Sequence, residues 1–427
     1  MTEVLIILVV MLGIVAISGF LLRNDYAKLS IVIVIASLIG AFVAQMGIRI
    51  REVVEGPFAY LDSVLAAMTG MIFVVVLMEN GTLELMLNSL LSKKRSPFLN
   101  SLLLILFIGL PGIFTGSATA SILTTGTMVG GYLINKGIER SKVVEFISIS
   151  SLIGLILPPI CLPAMFIVVS RSGSYPASFE GYTIPLLVAA VPALIAYSII
   201  SSRWIDKLNV EEVTNKTSFK AVVPIIVVTF LLFSHNFLFR FMPFLGYPFI
   251  FIIGIILAFI LPSKKFNIIH SARKGINMIV PVIAVVFAVG SALEIFTLTG
   301  VSGMLATIFY TTSPTLFTLV SVIIIMACGF IFGGPFACLI GVLSSYVIGA
   351  ILYQGNELML TAISVALCVA LFVPTRGGLV EYTALTLGVV DINNKLVVKN
   401  AAITVLTMII MAIIYSVMYG NLLFLVI

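Results

Sequence analysis

Gly112-Ile113-Phe114-Thr115-Gly116-Ser117-Ala118 interrupts a long apolar stretch, and about 216 positions later Gly329-Phe330-Ile331-Phe332-Gly333-Gly334-Pro335 interrupts another. Glycines and hydroxyls in the middle of a membrane-length run mark a place where the helix is broken. Backbone left unpaired at membrane depth is tolerated only where protein or a water-filled cavity satisfies its N–H and C=O groups. Two further breaks follow the same spacing, Leu157-Pro158-Pro159 in the first half and Val373-Pro374-Thr375 in the second. Pro158, Pro159 and Pro163 together free several carbonyls, because proline cannot donate to the helix ladder. Transporters place such interrupted helices at the midplane, where half-helix N-termini face anions and unwound carbonyls hold cations. A single kink is most simply structural, whereas four breaks at matched positions argue for a site.

The rest of the chain supplies the setting. It has 427 residues, 61% hydrophobic and 9% charged, with a mean hydropathy of +1.26, where soluble domains carry about 25% charged residues. Apolar runs long enough to cross a bilayer, which needs roughly 20 residues, occur near 4–22, 29–48, 57–79, 180–202, 219–239, 245–262, 275–297 and 399–425. The first ends in Arg23-Asn24-Asp25 with no small-residue cleavage site, so it reads as a retained span. At the same offset, 4–22 pairs with 219–239, 29–48 with 245–262, 57–79 with 275–297 and 180–202 with 399–425.

If 98–133 and 314–352 are re-entrant hairpins, while 143–170 and 357–388 are broken helices that each cross once, each half crosses five times. The second copy is then inverted. Eighteen of the 23 Lys and Arg residues fall on one face under this topology, from Arg23 and Lys28 to Lys395 and Lys399. The other face keeps Arg49, Arg51, Arg171 and Arg240, and Arg376 lies at membrane depth. The rule that cytoplasmic loops are positive places the first face in the cytoplasm and both termini outside. The expected fold is an all-α integral membrane inverted repeat with two re-entrant hairpins and two broken helices. Its organisation is a first repeat over 1–202, a cytoplasmic linker over 203–218 and a second repeat over 219–427, with 4–79 and 219–297 as scaffold.

The four breaks differ in chemistry. At the first tip, Ser117 and Thr119 offer hydroxyls to a cation or a carboxylate, with Thr124, Thr125 and Thr127 adding to the density; close packing of small residues is the competing reading. Hard cations take oxygen ligands, so the pairing of this tip with the freed carbonyls near Leu157 and Pro158 suits transported sodium. The second tip offers backbone alone, through Gly333 and Gly334. Its partner break carries Arg376, whose planar fork suits a carboxylate bidentately. An intramembrane guanidinium is by default functional. Three roles stand for Arg376: counter-ion to an anionic substrate, partner of Glu381 or Glu294, or a fixed positive charge where a cation would otherwise sit. Pro374 and Thr375 complete the candidate cation ligands. Glu79 and Glu294, at matching ends of the third span in each half, read as solvated, as does Asp62.

These residues resemble the large membrane subunit of the tripartite ATP-independent periplasmic (TRAP) transporters, within the wider ion transporter superfamily, which implies the inverted-repeat, elevator-type fold of that superfamily. The likeness runs from about Leu61 to Leu387. Gly81 after a span, Thr115-Gly116-Ser117-Ala118-Thr119-Ala120 against the S-G-S-x-x-A hairpin signature, Gly131-Tyr132 after the hairpin, and Leu157-Pro158-Pro159 against an I-P-P break carry it. The resemblance implies a sodium-driven elevator that moves organic acids across the inner membrane, with a small membrane subunit and a periplasmic binding protein as partners. It also implies that Gly116, Ser117 and Pro158 hold the first sodium. The second half departs from it: Gly333 stands where the family's hairpin carries Asp, and Val373-Pro374-Thr375-Arg376-Gly377 stands where it has T-P-P-x-G.

A stand-alone symporter, as a monomer or homodimer in lipid, is the alternative within transport. The chain has no H-E-x-x-H, no G-x-S-x-G and no paired aspartates at membrane depth, so no enzyme chemistry is read, and two half-sites related by inversion suit alternating access better than a channel. Cys161, Cys328, Cys338 and Cys368 are scattered among apolar residues, with only two histidines in the chain; no resident metal or cofactor is expected. The net charge of +6 follows from topology and calls for no nucleic acid.

Overall fold

A computed structural model describes every residue except 1, 23–24, 93–94, 172–179, 206–218, 235–244, 263, 352–356, 373–377, 390–391, 393 and 419–427. The described residues form helices and no strand. The first half runs α1 (Thr2–Leu21), α2 (Tyr26–Val43), α3 (Ile50–Glu55), a tight turn over Gly56–Tyr60, α4 (Leu61–Glu79), α5 (Thr82–Leu91), α6 (Pro97–Thr115), α7 (Ala118–Ser121), a widened π turn over Ile122–Gly126, α8 (Thr127–Asn135), α9 (Arg140–Ile156), α10 (Leu162–Arg171) and α11 (Glu180–Ile205). The second half runs α12 (Phe219–Phe233), α13 (Tyr247–Ile260), α14 (Ile268–Leu298), α15 (Val301–Thr311), α16 (Pro314–Phe332), α17 (Gly334–Ile351), α18 (Glu357–Phe372), α19 (Leu379–Thr386) and α20 (Asn394–Val417).

The element order repeats. Thr2 and Phe219, Pro97 and Pro314, Arg140 and Glu357, and Leu162 and Leu379 open corresponding helices, each pair 217 positions apart by subtraction of residue numbers. Local chemistry repeats with it. Gly81 (φ +81°) and Gly300 (φ +79°) take the left-handed conformation before α5 and α15, turning the chain off each third span. Ser96 and Ser313 precede Pro97 and Pro314, and each hydroxyl accepts the N–H of Leu99 or Leu316, at 3.4 and 3.2 Å. A serine cap followed by proline at the first helical position starts both hairpins in the same way. Losing such a cap costs about 1 kcal/mol, so Ser313→Ala is expected to lower the melting temperature slightly. The chain's one tryptophan, Trp204, provides the fluorescence that would report it.

Among the described residues, eight helical segments are long and apolar enough to cross a membrane: Thr2–Leu21, Tyr26–Val43, Ile50–Glu79, Pro97–Thr115, Gly181–Ile205, Ile268–Leu298, Pro314–Phe332 and Val397–Val417. The chain is a multi-pass membrane protein. Two of the expected spans come out short, α12 with 15 residues and α13 with 14; residues 235–244 between them lie outside the described chain. The third span of each half begins earlier than hydropathy alone suggests, because the polar ends Ile50–Glu55 and Ile268–Lys274 continue the helix past the apolar window. Helix α11 reaches Ile205, so the first three residues of the linker over 203–218 are helical.

The helices assemble into two bodies. In one, α14 packs against α2, α3 and α4, α1 against α2, and α13 against α4 and α12. In the other, α6 packs against α9 and α11, α16 against α17 and α18, and α20 against α11 and α18. Helices α11 and α20 therefore belong with the hairpins and broken helices. The sequence reading leaves those two spans outside that block, and hydropathy says nothing about which neighbour a span chooses. The copies also exchange parts: α10 of the first packs on α17 and α18 of the second, while α19 of the second packs on α9 of the first.

Glycines permit the closest crossings. A Cβ on Gly154 of α9 would lie 2.4 Å from the Gly109 Cα on α6, and one on Gly70 of α4 would lie 2.3 Å from the Phe114 carbonyl oxygen on α6. An aromatic cluster joins the bodies, with Phe73, Phe114 and Phe251 at centroid separations of 5.6 to 6.1 Å. Glu79 is not merely solvated: it pairs with Lys274 at 2.5 Å, joining the ends of α4 and α14. Glu84 and Lys264 form a second such pair at 2.5 Å. Asp62 and Glu294 are exposed.

Candidate functional site

The first hairpin turns at Gly116 because only a residue without a Cβ sits comfortably at φ +64°. Its N–H closes α6 on the Gly112 carbonyl at 2.7 Å, and its carbonyl accepts the Leu162 N–H at 3.3 Å. The tip is thereby tied to the far side of the first break, where α10 begins. Leu157 and Pro158 are buried in the same break, yet the contact to the tip comes from Ile160 and Leu162. The second hairpin turns at Gly333 (φ +97°). There Gly334 abuts the Leu371 side chain at the end of α18. Val373 to Gly377, including Pro374, Thr375 and Arg376, lie outside the described residues.

Both tips reach one cavity of about 90 Å3, a volume that admits several water-sized groups. Ser117 and Thr119 line it from the first tip, and Gly334 and Pro335 from the second. Leu155 and Leu162 flank it on either side of the first break, and Leu371 and Leu379 on either side of the second. Tyr26, Val282 and Val285 from the other body close it. Gly116 is part of the lining, whereas Gly333, Leu157 and Pro158 are not.

Within the cavity Ser117 Oγ and Thr119 Oγ1 lie 2.8 Å apart, and the Ser117 N–H is fixed on Thr115 Oγ1 at 3.2 Å. Two neutral oxygens held side by side suit a hard cation or the donor side of a carboxylate contact. The remaining hydroxyls of this hairpin do structural work, contrary to the density argument. Thr124 donates to the Ala120 carbonyl, Thr125 to that of Ile108 and Thr127 to that of Thr124. Ser121 accepts the Gly112 N–H at 2.8 Å. No cluster of three or more His, Cys, Asp or Glu side chains is placed to hold a metal among the described residues. Gly131, one of the residues behind the TRAP resemblance, would meet nothing within 4 Å if it carried a Cβ, so no packing constraint explains it.

Sequence reasoning missed Glu145 on α9. It is 3% exposed, and it accepts hydrogen bonds from Tyr197 of α11 and Asn400 of α20. Its position five residues after the start of α9, close to Glu139 and Lys142, resembles that of a solvated end charge. The available signal was its immediate flank, Val143-Val144 before it and Phe146 after it.

No protein-family model matches the chain, and no curated protein does. The TRAP resemblance thus rests on its short motifs alone. Solved structures do match in fold. One is MtrF of Neisseria gonorrhoeae, described with a class of antimetabolite efflux pumps, with a TM-score of 0.56 and 13% identity over 92% of this chain and 95% of that one. Another is the YdaH transporter of Alcanivorax borkumensis, described as having an unusual topology, with a TM-score of 0.56 and 13% identity over 86% of this chain and 87% of that one. The chain shares its fold with these two membrane transporters.

Proposed function

We propose that the protein is a secondary active transporter of the inner membrane that moves a small organic acid anion, coupled to sodium, by an elevator motion. One observation carries the reading: two hairpin tips and the flanks of two helix breaks, drawn from both copies of the repeat, converge on a single cavity. Convergent half-sites of this kind suit alternating access. Sodium is assigned to the Ser117 and Thr119 oxygens with carbonyls of the tip and first break, Leu157 and Pro158 among the donors. The acid carboxylate is assigned to Arg376 with backbone at Gly333 and Gly334; Pro374 and Thr375, the remaining candidate cation ligands, precede Arg376 in the sequence.

The proposed mode is that of a stand-alone carrier. TRAP-type partners, a small membrane subunit and a soluble binding protein, would be revealed by co-purification. Efflux is a second direction, favoured by the description of MtrF; in a carrier the imposed gradients set which way net flux runs. Thermal-shift screening against an organic-acid library with and without sodium tests the core of the reading. Stabilisation by an acid that grows with sodium is expected, and no stabilisation by any acid would overturn it.

Two variants follow. Loss of a hydroxyl contact to an ion is worth about 1.5 kcal/mol, so Ser117→Ala should raise the sodium concentration for half-maximal transport roughly tenfold. Arg376→Ala should abolish acid-dependent stabilisation. With Gly333 in place of a carboxylate and Arg376 in the partner break, a single sodium is expected. A Hill slope near two in the wild type would sink that assignment.

A further inference from the structure

Glu145 occupies an unusual place for a carboxylate. Tyr197 Oη donates to one of its oxygens at 3.2 Å and Asn400 Nδ2 to the other at 2.8 Å. No Lys or Arg among the described residues lies within 4.0 Å of it. The charges that act on it are Lys142 of its own helix and Glu139 just before that helix, which pair with each other at 3.0 Å at the exposed start of α9. Tyr197 faces it from α11 and Asn400 from α20. Removal from water costs an ionised carboxylate far more than a neutral one, and ionisable groups within membrane helices usually mark proton or substrate paths.

Hydroxyl groups of α9 and α19 lie between this carboxylate and the cavity. Ser148, one turn further along α9, donates to the Val144 carbonyl at 2.7 Å and has its Oγ 2.9 Å from Thr383 Oγ1 on α19. Thr383 in turn donates to the carbonyl of Leu379 at 2.7 Å, and Leu379 lines the cavity. Ser151 Oγ is buried without a hydrogen-bond partner, the condition under which an ordered water completes a chain. From Glu145 to the cavity-lining Leu155 the helix rises about 15 Å.

We propose that Glu145, held by Tyr197 and Asn400, is a proton-binding site of the hairpin body, and that its proton passes by Ser148, Thr383 and water at Ser151 to the cavity to accompany the acid. Hydronium at the charged start of α9 gives its proton to the carboxylate and leaves as water, and the carboxylic acid later returns the proton toward the cavity. The second half of the proposal rests on the organic-acid carrier reading; the first does not.

Infrared difference spectra of the protein in lipid, recorded across a pH series, test the site directly. A protonated-carboxyl stretch that grows as pH falls is expected in the wild type. It should shift in Tyr197→Phe, persist in Glu145→Asp and vanish in the near-isosteric Glu145→Gln. Trp204 provides a second readout, because its ring packs edge-on against Phe146 beside Glu145 at 5.2 Å. Its fluorescence should follow the same titration and lose it in Glu145→Gln. An unchanged titration in that variant would overturn the site.

Proteoliposomes loaded with a pH-sensitive dye and given inward gradients of succinate, citrate or gluconate test the coupling, with protein-free vesicles as the leak control. Lumen acidification should accompany acid flux and fall at least tenfold in Glu145→Gln; equal acidification in the two proteins would overturn the coupling. If none of these acids moves through the wild type, the carrier reading fails for them, and the infrared titration still decides the site.

Discussion

Gly154→Leu should be among the most destabilising single substitutions in the chain, lowering stability by about 3 kcal/mol. A Cβ on Gly154 would stand 2.4 Å from the Cα and 2.5 Å from the carbonyl oxygen of Gly109, and both are backbone atoms that no rotamer change can move. Helices α6 and α9 must then separate along their length. The contact is tight over a full turn, since a Cβ on Gly112, one turn from Gly109, would lie 3.1 Å from the Gly154 carbonyl carbon. Both helices belong to the body that holds the cavity, so the hairpin tip would lose its registration on the break together with stability. Unfolding followed by Trp204 fluorescence in detergent checks the prediction. Gly131→Ala is the matched control: that glycine has open space around it and lies in α8, where alanine favours the helix over glycine by up to about 1 kcal/mol. A control that destabilises as much as Gly154→Leu would show that the crossing is not the cause.

How far the sequence reached depended on what each feature writes into it. Membrane spans and the repeat were legible because hydrophobic length and the breaks at Gly112–Ala118, Gly329–Pro335, Leu157–Pro159 and Val373–Thr375 are written locally in the sequence. The short helices α5 and α15 were not, since ten or eleven residues fall below the length that hydropathy detects. The placement of α11 and α20 with the hairpins is tertiary and leaves no periodic trace. At the site, Gly116, Ser117, Thr119 and Gly334 were legible as breaks in an apolar run, and the structure brings them to one cavity. The roles of Thr124 and Thr125 were misjudged, because a hydroxyl that bonds its own helix looks the same in sequence as one that faces a ligand. Glu145 was hidden by its charged neighbours.

Gly116→Val should cost transport far more than it costs stability. The position has φ +64°, where an L side chain is strained by about 1 to 2 kcal/mol and a β-branched one fares worse. The added Cβ would also stand 2.4 Å from the Leu162 backbone nitrogen and 3.0 Å from Ile160 Cγ2. The tip must therefore lift from the break and give up the Leu162 N–H to Gly116 carbonyl bond. Helices α6 and α7 flank this turn and can shift as a short lever, so the fold survives. The hydroxyls of Ser117 and Thr119, however, no longer meet the flanks of the break within the cavity. If those oxygens hold the coupling ion, misplacing them by about 1 Å should lower flux on the order of a hundredfold, with only a few degrees lost in melting temperature. Sodium-dependent uptake into proteoliposomes, measured beside Trp204 unfolding of the same preparation, separates the two effects. Flux that falls only in proportion to folded protein would show that the contact between tip and break serves the fold and not the transport site.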